Sequence, residues 1–376
     1  MKSTPQSIAC ILVLLCFSWI PCSFGQGSLT PPGAPAPTMK TLDQVEARTP
    51  ISSLPFVITT SGSYYLVGSL TASQGTNGIT VAVDNVSIDL NGFALIGKPG
   101  SSNGVFATPS IRNISVRNGT VRNWGRSGIA ATNTLNGLFE EVRADSNSGI
   151  GIDTGNGAVI SKCVSISNGG IGINGGNGSS IKDCTAESNG GAGINSSSGS
   201  TITGCASQYN TGVGILASPG TSIKNCSVQS NGGGGISAAG ACNIVGCAVY
   251  SNTGIGISTF LSTVQDCTVI NNTGDGIYMV SYGVILNNNA YGNGGFTASN
   301  NNIHVSGSYN RIEGNHVTLG YTGIRVDTSG NVIIKNSSGG QGAANYIVAA
   351  GNLFGPTLSS LAALATNSNP HANYDF

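Results

Sequence analysis

The chain has 376 residues, with 15 Lys and Arg balancing 15 Asp and Glu, and only 8% of its residues are charged. This balance excludes the strongly basic surface that is typical of a nucleic-acid-binding protein. A hydrophobic content of 39% is too high for a disordered chain. The 57 glycines are roughly twice the ordinary share. We therefore expect a folded protein whose surface is made polar by Asn, Ser, Thr and Gly.

The first 25 residues have the pattern of a secretory signal peptide. Lys2 gives a positive start, residues 8–20 are almost wholly apolar, and Ser23 and Gly25 place small residues just before a cleavage point. An uncleaved anchor is the alternative, but the apolar run is short for a bilayer span. We expect residues 1–25 to be removed. The mature protein is then secreted, periplasmic or at the cell surface, with no membrane span.

Residues 26–50 combine a Pro-rich linker with a short helix. The stretch 26–37 contains four prolines and should be extended. Within residues 38–46, Met39, Leu42 and Val45 share one side of an amphipathic helix. We expect the main domain to occupy residues 51–350, followed by a C-terminal cap and tail at 351–376. A possible helix near residues 358–365 would cover the exposed edge of that domain.

Three residue types recur in phase through the middle of the chain, with a step of 21 residues and one step of 20. The cysteine column is Cys163, Cys184, Cys205, Cys226, Cys247 and Cys267. The asparagine column is Asn147, Asn168, Asn189, Asn210, Asn231, Asn252 and Asn272, and it continues to Asn293. The isoleucine column is Ile152, Ile173, Ile194, Ile215, Ile236, Ile257 and Ile277.

Each repeat contains short bursts of alternating apolar and polar residues, separated by Asn, Gly and Ser. Such bursts predict strands of three to five residues, and Asn and Gly predict the corners between them. A 21-residue unit of this kind is one coil of a parallel β-helix, in which successive coils are about 4.8 Å apart. The sequence therefore predicts an all-β solenoid of about twelve coils, stabilised by contacts between neighbouring repeats.

The cysteine column permits more than one interpretation. Asn288, Asn315 and Asn336 continue it in later coils and cannot form disulfides, and stacked Cβ vectors disfavour the disulfide dihedral. We favour a ladder of small buried side chains. Disulfides are the alternative, with Cys242 and Cys247 as the pair outside the register. No CxxC pair or nearby histidine supports a metal site, so we expect no metal and no cofactor.

The repeated phrases Gly-Ile-Gly-Ile and Ile-x-Asn-Cys/Asn-x-Val extend through residues 77–343. Residues 53–58 and 62–66 are similar to N-terminal capping strands. In these features the chain resembles secreted right-handed parallel β-helix repeat proteins, which are related in pattern to pectate-lyase-like and copper-periplasmic β-helix domains. The resemblance implies a right-handed parallel β-helix. It matches no specific enzyme family, because the repeat reflects stacking rather than chemistry.

The register predicts an outward column on the strand after the glycine corner. Its members are Phe106, Ala130, Asp153, Asn174, Asn195, Leu216, Ser237, Ser258, Tyr278, His304 and Arg325. Of these, Asp153, Asn174, Asn195 and Tyr278 are candidate carbohydrate-binding residues. A second column beside it is predicted to face outward as well, leaving bare backbone against which a polymer could lie. It consists of Gly151, Gly172, Gly193, Gly214, Gly235, Gly256 and Gly276.

Charged and aromatic side chains are concentrated near the C-terminal coils, where the candidate catalytic residues are Asp275, Tyr278, His304, Arg325 and Asp327. A lyase or epimerase acting on a uronate needs a base for the proton α to the carboxylate and a cation for the developing enolate. His304 and Arg325 fit those roles, with Tyr278 as acid or sugar platform. An inverting glycosidase instead needs two carboxylates about 6.5–9.5 Å apart, for which Asp275 and Asp327 are the candidates.

These features favour an exported, monomeric β-helix protein that binds an extended polysaccharide along its outward face. Catalysis is not evident from the sequence. The first alternative is a carbohydrate-active lyase, epimerase or hydrolase that uses the C-terminal coils. The second is a structural surface protein or adhesin. No nucleic-acid partner is expected.

Overall fold

The computed structural model describes residues 47–295 and 300–376. From Arg48 to Phe376 the described chain forms one compact unit. The signal peptide expected at residues 1–25, most of the linker and the helix expected within residues 38–46 lie outside the described residues. These three assignments stay predictions.

The described residues form a right-handed parallel β-solenoid with two sheets that run its whole length. The strand pairs of the described residues are parallel, and most coils contribute one strand to the first sheet and two to the second. Fourteen strands in the first sheet correspond to about fourteen coils, close to the expected number. The predicted solenoid is therefore confirmed.

Sheet 1 has fourteen strands, most of them three residues long. In chain order they are β2 (Phe56–Ile58), β5 (Ile79–Val81), β8 (Val105–Ala107), β10 (Ile129–Leu135), β12 (Ile152–Asn156), β15 (Ile173–Gly175), β18 (Ile194–Ser196), β21 (Ile215–Ala217), β24 (Ile236–Ala238), β27 (Ile257–Thr259), β30 (Ile277–Met279), β33 (Asn301–Val305), β36 (Thr322–Val326) and β39 (Ala344–Val348).

Sheet 2 has 28 strands and forms the rest of the wall. They are β1 (Thr49–Ile51), β3 (Gly62–Leu66), β4 (Leu70–Thr71), β6 (Val86–Asp89), β7 (Ala94–Ile96), β9 (Ile114–Arg122), β11 (Leu138–Asp145), β13 (Val159–Ser161), β14 (Val164–Ile166), β16 (Ser180–Lys182), β17 (Thr185–Glu187), β19 (Thr201–Thr203), β20 (Ala206–Gln208), β22 (Ser222–Lys224), β23 (Ser227–Gln229), β25 (Asn243–Val245), β26 (Ala248–Tyr250), β28 (Thr263–Gln265), β29 (Thr268–Ile270), β31 (Val284–Leu286), β32 (Asn289–Tyr291), β34 (Arg311–Glu313), β35 (His316–Thr318), β37 (Val332–Ile334), β38 (Ser337–Gly339), β40 (Leu353–Phe354), β41 (Thr357–Leu358) and β42 (Asn373–Asp375).

The asparagine column forms a buried ladder at one corner of the coils. Each side chain donates its Nδ2 hydrogen to Oδ1 of the asparagine one coil later, at 2.9–3.0 Å. The same Oδ1 accepts the backbone N–H of the earlier asparagine, as in Asn168 to Asn189 at 3.0 Å. Because these amides are satisfied by one another, they can be fully buried. The ladder continues through Asn293 to Asn302, so it has one more member than the expected column.

The cysteine column lies inside the solenoid, as favoured from the sequence. All seven cysteines among the described residues are buried and free. Cys184 Sγ, for example, contacts the carbonyl oxygen of Lys182 at 3.2 Å. The backbone N–H of Cys267 donates to Asn288 Oδ1 at 2.9 Å, where a second amide ladder begins. That ladder passes through Asn315 and Asn336 to Asn373.

The C-terminal segment closes the last coil in a different way from that expected. The helix α1 (Leu361–Thr366) forms and is capped by Ser360, but it buries none of its residues. The edge is extended instead by β42, which pairs with β38. No helix in residues 47–295 and 300–376 is long and apolar enough to span a membrane.

Candidate functional site

The strand register of sheet 1 confirms the predicted outward column. Successive positions are paired directly, including Asn174 with Asn195, Ser258 with Tyr278, and Tyr278 with His304. His304 is in turn paired with Arg325. The pairing places Tyr278, His304 and Arg325 on three successive coils, which are about 4.8 Å apart.

The structure brings four of the five candidate catalytic residues into one hydrogen-bonded cluster. His304 Nδ1 lies 2.8 Å from Asp275 Oδ2, and His304 Nε2 lies 2.9 Å from Asp327 Oδ2. Arg325 Nε donates to the other oxygen of Asp327, Oδ1, at 2.7 Å. The imidazole therefore lies between two carboxylates, one of which is also held by a guanidinium.

The cluster is only partly open to solvent, which strengthens its electrostatic interactions. The side chains of His304 and Asp275 are 16% and 10% exposed. Partial burial alone would lower the pKa of His304, but its hydrogen bonds with Asp275 and Asp327 outweigh this, so the pKa lies above the ordinary 6.5. Partial burial alone would raise the pKa of Asp327, but hydrogen bonds from His304 and Arg325 hold that pKa below its ordinary value.

Tyr278, the fifth candidate, lies against this cluster. Its ring centroid is 5.2 Å from that of His304, in an edge-on arrangement. Its hydroxyl is 2.9 Å from Ser306 Oγ. The phenol thus has a polar partner just after the end of β33, whereas Asp275 lies just before the start of β30.

Asn301 and Ser306 contact the candidate catalytic residues but were missed in the sequence. Asn301 donates its backbone N–H and its Nδ2 hydrogen to Asp275 Oδ1, at 2.5 and 2.9 Å. The available signal was a change of spacing, because β30 and β33 are paired across 26 residues rather than 21. The longer coil positions Asn301 beside Asp275.

The other carbohydrate-binding candidates form a polar ladder further along the same face. Asn195 donates to Asn174 Oδ1 at 2.6 Å, and Asn174 donates to Asp153 Oδ1 at 2.7 Å. Thr132 donates to Asp153 Oδ2 at 2.6 Å. Asp153 is only 8% exposed. Asp153 therefore ends the ladder as a buried hydrogen-bond acceptor, whereas Asn174 and Asn195 remain half-exposed.

The glycine column does not face outward, and that expectation is wrong. A Cβ atom built on Gly172 would point inward, 2.6 Å from Asn189 Nδ2 and 2.6 Å from the Gly193 carbonyl oxygen. At Gly193 the same atom would lie 2.0 Å from Ser207 Oγ. These glycines make room for the buried asparagine ladder, so they offer no bare backbone to a ligand.

A shallow groove lies on the outward face of sheet 1, toward the N-terminal coils from Tyr278. Its volume is about 410 Å³. Leu216, Phe260 and Val280 contribute to its lining and are 41%, 42% and 39% exposed. Asn195, Ser237 and Ser258 supply polar groups. Among the described residues, no group of three or more His, Cys, Asp or Glu side chains is arranged to hold a metal ion.

Several solved structures are similar to this chain. The A-module of mannuronan C-5 epimerase AlgE6 from Azotobacter vinelandii is 14% identical, with a TM-score of 0.46, and the match covers 87% of this chain and 88% of that one. The AlgE4 A-module of the same organism is 15% identical, with a TM-score of 0.45 and coverages of 86% and 89%. The catalytic domain of a GH87 α-1,3-glucanase is 12% identical, with a TM-score of 0.36 and coverages of 88% and 62%. At these values none of them assigns a function to this chain.

A search of curated proteins returned no match. The family model described as "right handed beta helix region" matches residues 57–207, 103–253 and 201–307. These overlapping matches span residues 57–307, more than half of the chain. The chain therefore belongs to the right-handed β-helix family.

Proposed function

We propose that this protein is exported and acts on a polysaccharide chain that lies along the outward face of sheet 1. The reaction is acid–base chemistry on a uronate residue, either elimination or C5 epimerisation. One observation carries the proposal. An Asp–His–Asp cluster, a guanidinium and a phenol lie together on three coils of an outward face whose other paired positions carry one charged side chain, Asp153.

His304 is the base in this proposal. Asp275 holds Nδ1 and so fixes the orientation of the ring, which leaves Nε2 as the reacting nitrogen. Nε2 contacts Asp327, which already has Arg325 as a second partner. When Asp327 turns fully to Arg325, the deprotonated Nε2 can accept the proton α to the substrate carboxylate.

Arg325 supplies the positive charge that the reaction needs. A guanidinium carries five N–H donors, so this side chain can hold Asp327 through Nε and a substrate carboxylate through its other nitrogens. As the α proton leaves, negative charge moves onto the substrate carboxylate, and the nearby cation stabilises it. Its 39% exposed side chain is accessible to the substrate.

Tyr278 completes the reaction as the acid. In elimination, the electron pair of the broken C–H bond forms a C4–C5 double bond, and the departing glycosidic oxygen takes the phenol proton. In epimerisation, the phenol returns a proton to C5 from the opposite face. The edge-on contact with His304 supports this pairing of acid and base, because the two rings lie side by side on adjacent coils.

A two-carboxylate hydrolase fits this geometry less well. An inverting glycosidase needs space for a water molecule between its carboxylates. Here the imidazole of His304 occupies the space between Asp275 and Asp327, and it is hydrogen-bonded to both.

Non-catalytic binding on the same face is the second candidate function. It is favoured by the fact that both ring nitrogens of His304 are hydrogen-bonded in this structure. In that case the cluster would recognise an acidic sugar through Arg325 without turning it over.

Product analysis separates the two candidates. Residues 26–376 are incubated with uronate-containing and neutral polysaccharides, and the products are examined by mass spectrometry and, for C5 inversion, by NMR. Unsaturated ends or inverted uronates that disappear in His304→Gln support the enzyme. Binding without product, unchanged in His304→Gln, supports the second candidate. No binding to any polysaccharide rejects both.

A further inference from the structure

We infer that the polymer is a heteropolysaccharide in which isolated acidic sugars are separated by neutral ones, rather than a homopolymer of uronates. This inference rests on the proposed function and names its substrate class. It is drawn from the distribution of charge on the outward face of sheet 1.

The outward face carries its positive charge at one end. Of the fourteen outward positions of sheet 1, all within the described residues, Arg325 is the one Lys or Arg. Between Asp153 and His304 the face presents only uncharged side chains. These are Asn174, Asn195, Leu216, Ser237, Ser258 and Tyr278.

The turns on either side of this face are uncharged over the five coils from Asn174 to Ser258. No Lys, Arg, Asp, Glu or His occurs in residues 167–179, 188–200, 209–221, 230–242 or 251–262. The charged residues of these coils, such as Lys182 and Lys224, belong to sheet 2. The uncharged stretch from Asn174 to Tyr278 covers five coil steps, about 24 Å along the axis.

A coil rise of about 4.8 Å is comparable to the length of one sugar residue. A homopolyuronate along this axis would therefore bring several carboxylates over a surface that offers them no cation. Burying unpaired charges is costly, and Asp153 at the far end adds repulsion. Neutral sugars fit better, because Asn and Ser side chains can hydrogen-bond their hydroxyls.

The groove supports the same conclusion through its apolar lining. Leu216, Phe260 and Val280 expose a substantial fraction of their surface to the space above the serines. The C–H faces and methyl groups of neutral or deoxy sugars can pack against such side chains, whereas a carboxylate would lose hydration there without compensation. The acidic sugar is thus confined to the neighbourhood of Arg325.

The test compares the affinities of His304→Gln, residues 26–376, for three kinds of polymer by calorimetry. Alginate and polygalacturonate carry a carboxylate on every sugar, gellan carries a uronate among neutral sugars, and dextran carries none. We expect gellan to bind about 10-fold more tightly than either homopolyuronate, a difference of ~1.4 kcal/mol. Arg325→Ala should remove the preference for gellan over dextran.

A gain-of-function variant tests whether the lack of cations on this face causes the weaker binding of homopolyuronates. Ser237→Lys adds a cation to the uncharged stretch and should strengthen alginate binding about 3-fold, the effect of one exposed charge pair. Thr201→Lys, on an exposed position of sheet 2, is the matched control and should have no effect. Homopolyuronates that bind as tightly as gellan, or no gain in Ser237→Lys, would overturn the inference but leave the proposed function intact. Failure of all polymers to bind would overturn both.

Discussion

His304 Nδ1 lies 2.8 Å from Oδ2 of Asp275, a carboxylate that the preceding coil contributes just before β30. The other oxygen of Asp275 accepts two hydrogen bonds from Asn301. The carboxylate is therefore fixed from both sides, and it fixes the imidazole in turn. This arrangement separates a positioning role for Asp275 from a reacting role for His304.

Replacement of His304 by Gln should remove turnover but preserve binding. General acid–base catalysis typically contributes about 10²- to 10⁴-fold, so we expect kcat to fall at least about 100-fold. Polymer affinity should change little, because Arg325 and the groove remain. The control is His316→Gln, a histidine on β35 of sheet 2. Equal losses in both variants would contradict the role of His304.

Turnover should rise with pH through the pKa of His304, because the base must be deprotonated. That pKa lies above 6.5, so the rise is expected at higher pH than for an ordinary histidine. Asp327→Asn removes one of the two carboxylates that raise the pKa and should move the midpoint to lower pH. The shift is measured by imidazole NMR and by the pH profile of kcat/KM. Glu313→Gln, a carboxylate on sheet 2, should leave the midpoint unchanged.

The same ionisation should make the stability of the cluster depend on pH. The pKa of His304 is higher in the folded than in the unfolded protein, so the folded state binds the proton more tightly. The stabilising contribution is complete below about pH 6.5 and is lost as pH rises through the folded pKa. The difference in melting temperature between the wild type and His304→Gln should therefore decrease as pH rises over that range. A constant difference from pH 5 to 9 would show that His304 does not ionise as described.

Much of the fold could be predicted because each coil repeats the same requirement. Buried asparagine amides must hydrogen-bond to one another, so the burial of Asn189 requires asparagines at positions 168 and 210, one coil away on either side. A column of this kind is visible as a fixed sequence spacing. The sequence did not reveal that the glycine column faces inward. The alternation of inward and outward positions ends at the corner, and the backbone there turns Gly172 inward.

Gly172→Ala tests that inward packing. The new methyl group would overlap Asn189 Nδ2 and the Gly193 carbonyl oxygen, so the strand or the ladder must move. Overpacking of this kind typically lowers the free energy of unfolding by ~1–3 kcal/mol. Gly68→Ala is the control, since a methyl group there meets no atom within 4 Å. Denaturant unfolding that shows equal stability of both variants would contradict the packing.

Asn210→Ala tests the amide ladder. Asn210 is 1% exposed, accepts hydrogen bonds from Asn189 and donates to Asn231. Removing it leaves buried groups unsatisfied, each costing ~1–3 kcal/mol, so we expect a loss of at least ~2 kcal/mol in the free energy of unfolding. Asn195→Ala, on the half-exposed outward face, should cost less than ~1 kcal/mol. Comparable losses in the two variants would indicate that the ladder adds no special stability.

The candidate site was only partly predictable. The register placed Tyr278, His304 and Arg325 on one face, because those positions follow the repeat. The bonds from Asn301 to Asp275 depend on a coil that departs from the repeat, and a spacing argument cannot supply them. The position of His304 between two carboxylates likewise depends on side-chain directions that the register leaves open.

In the proposed function, the cluster around His304 performs acid–base chemistry on a uronate within a polysaccharide. Its most direct test is mass spectrometry, with NMR of the uronate C5 proton, after incubation of residues 26–376 with gellan and with alginate. We expect unsaturated uronate ends or inverted C5 centres that depend on His304 and Arg325. Unmodified polymers after prolonged incubation across pH 6 to 10, or products that persist in His304→Gln, would contradict it.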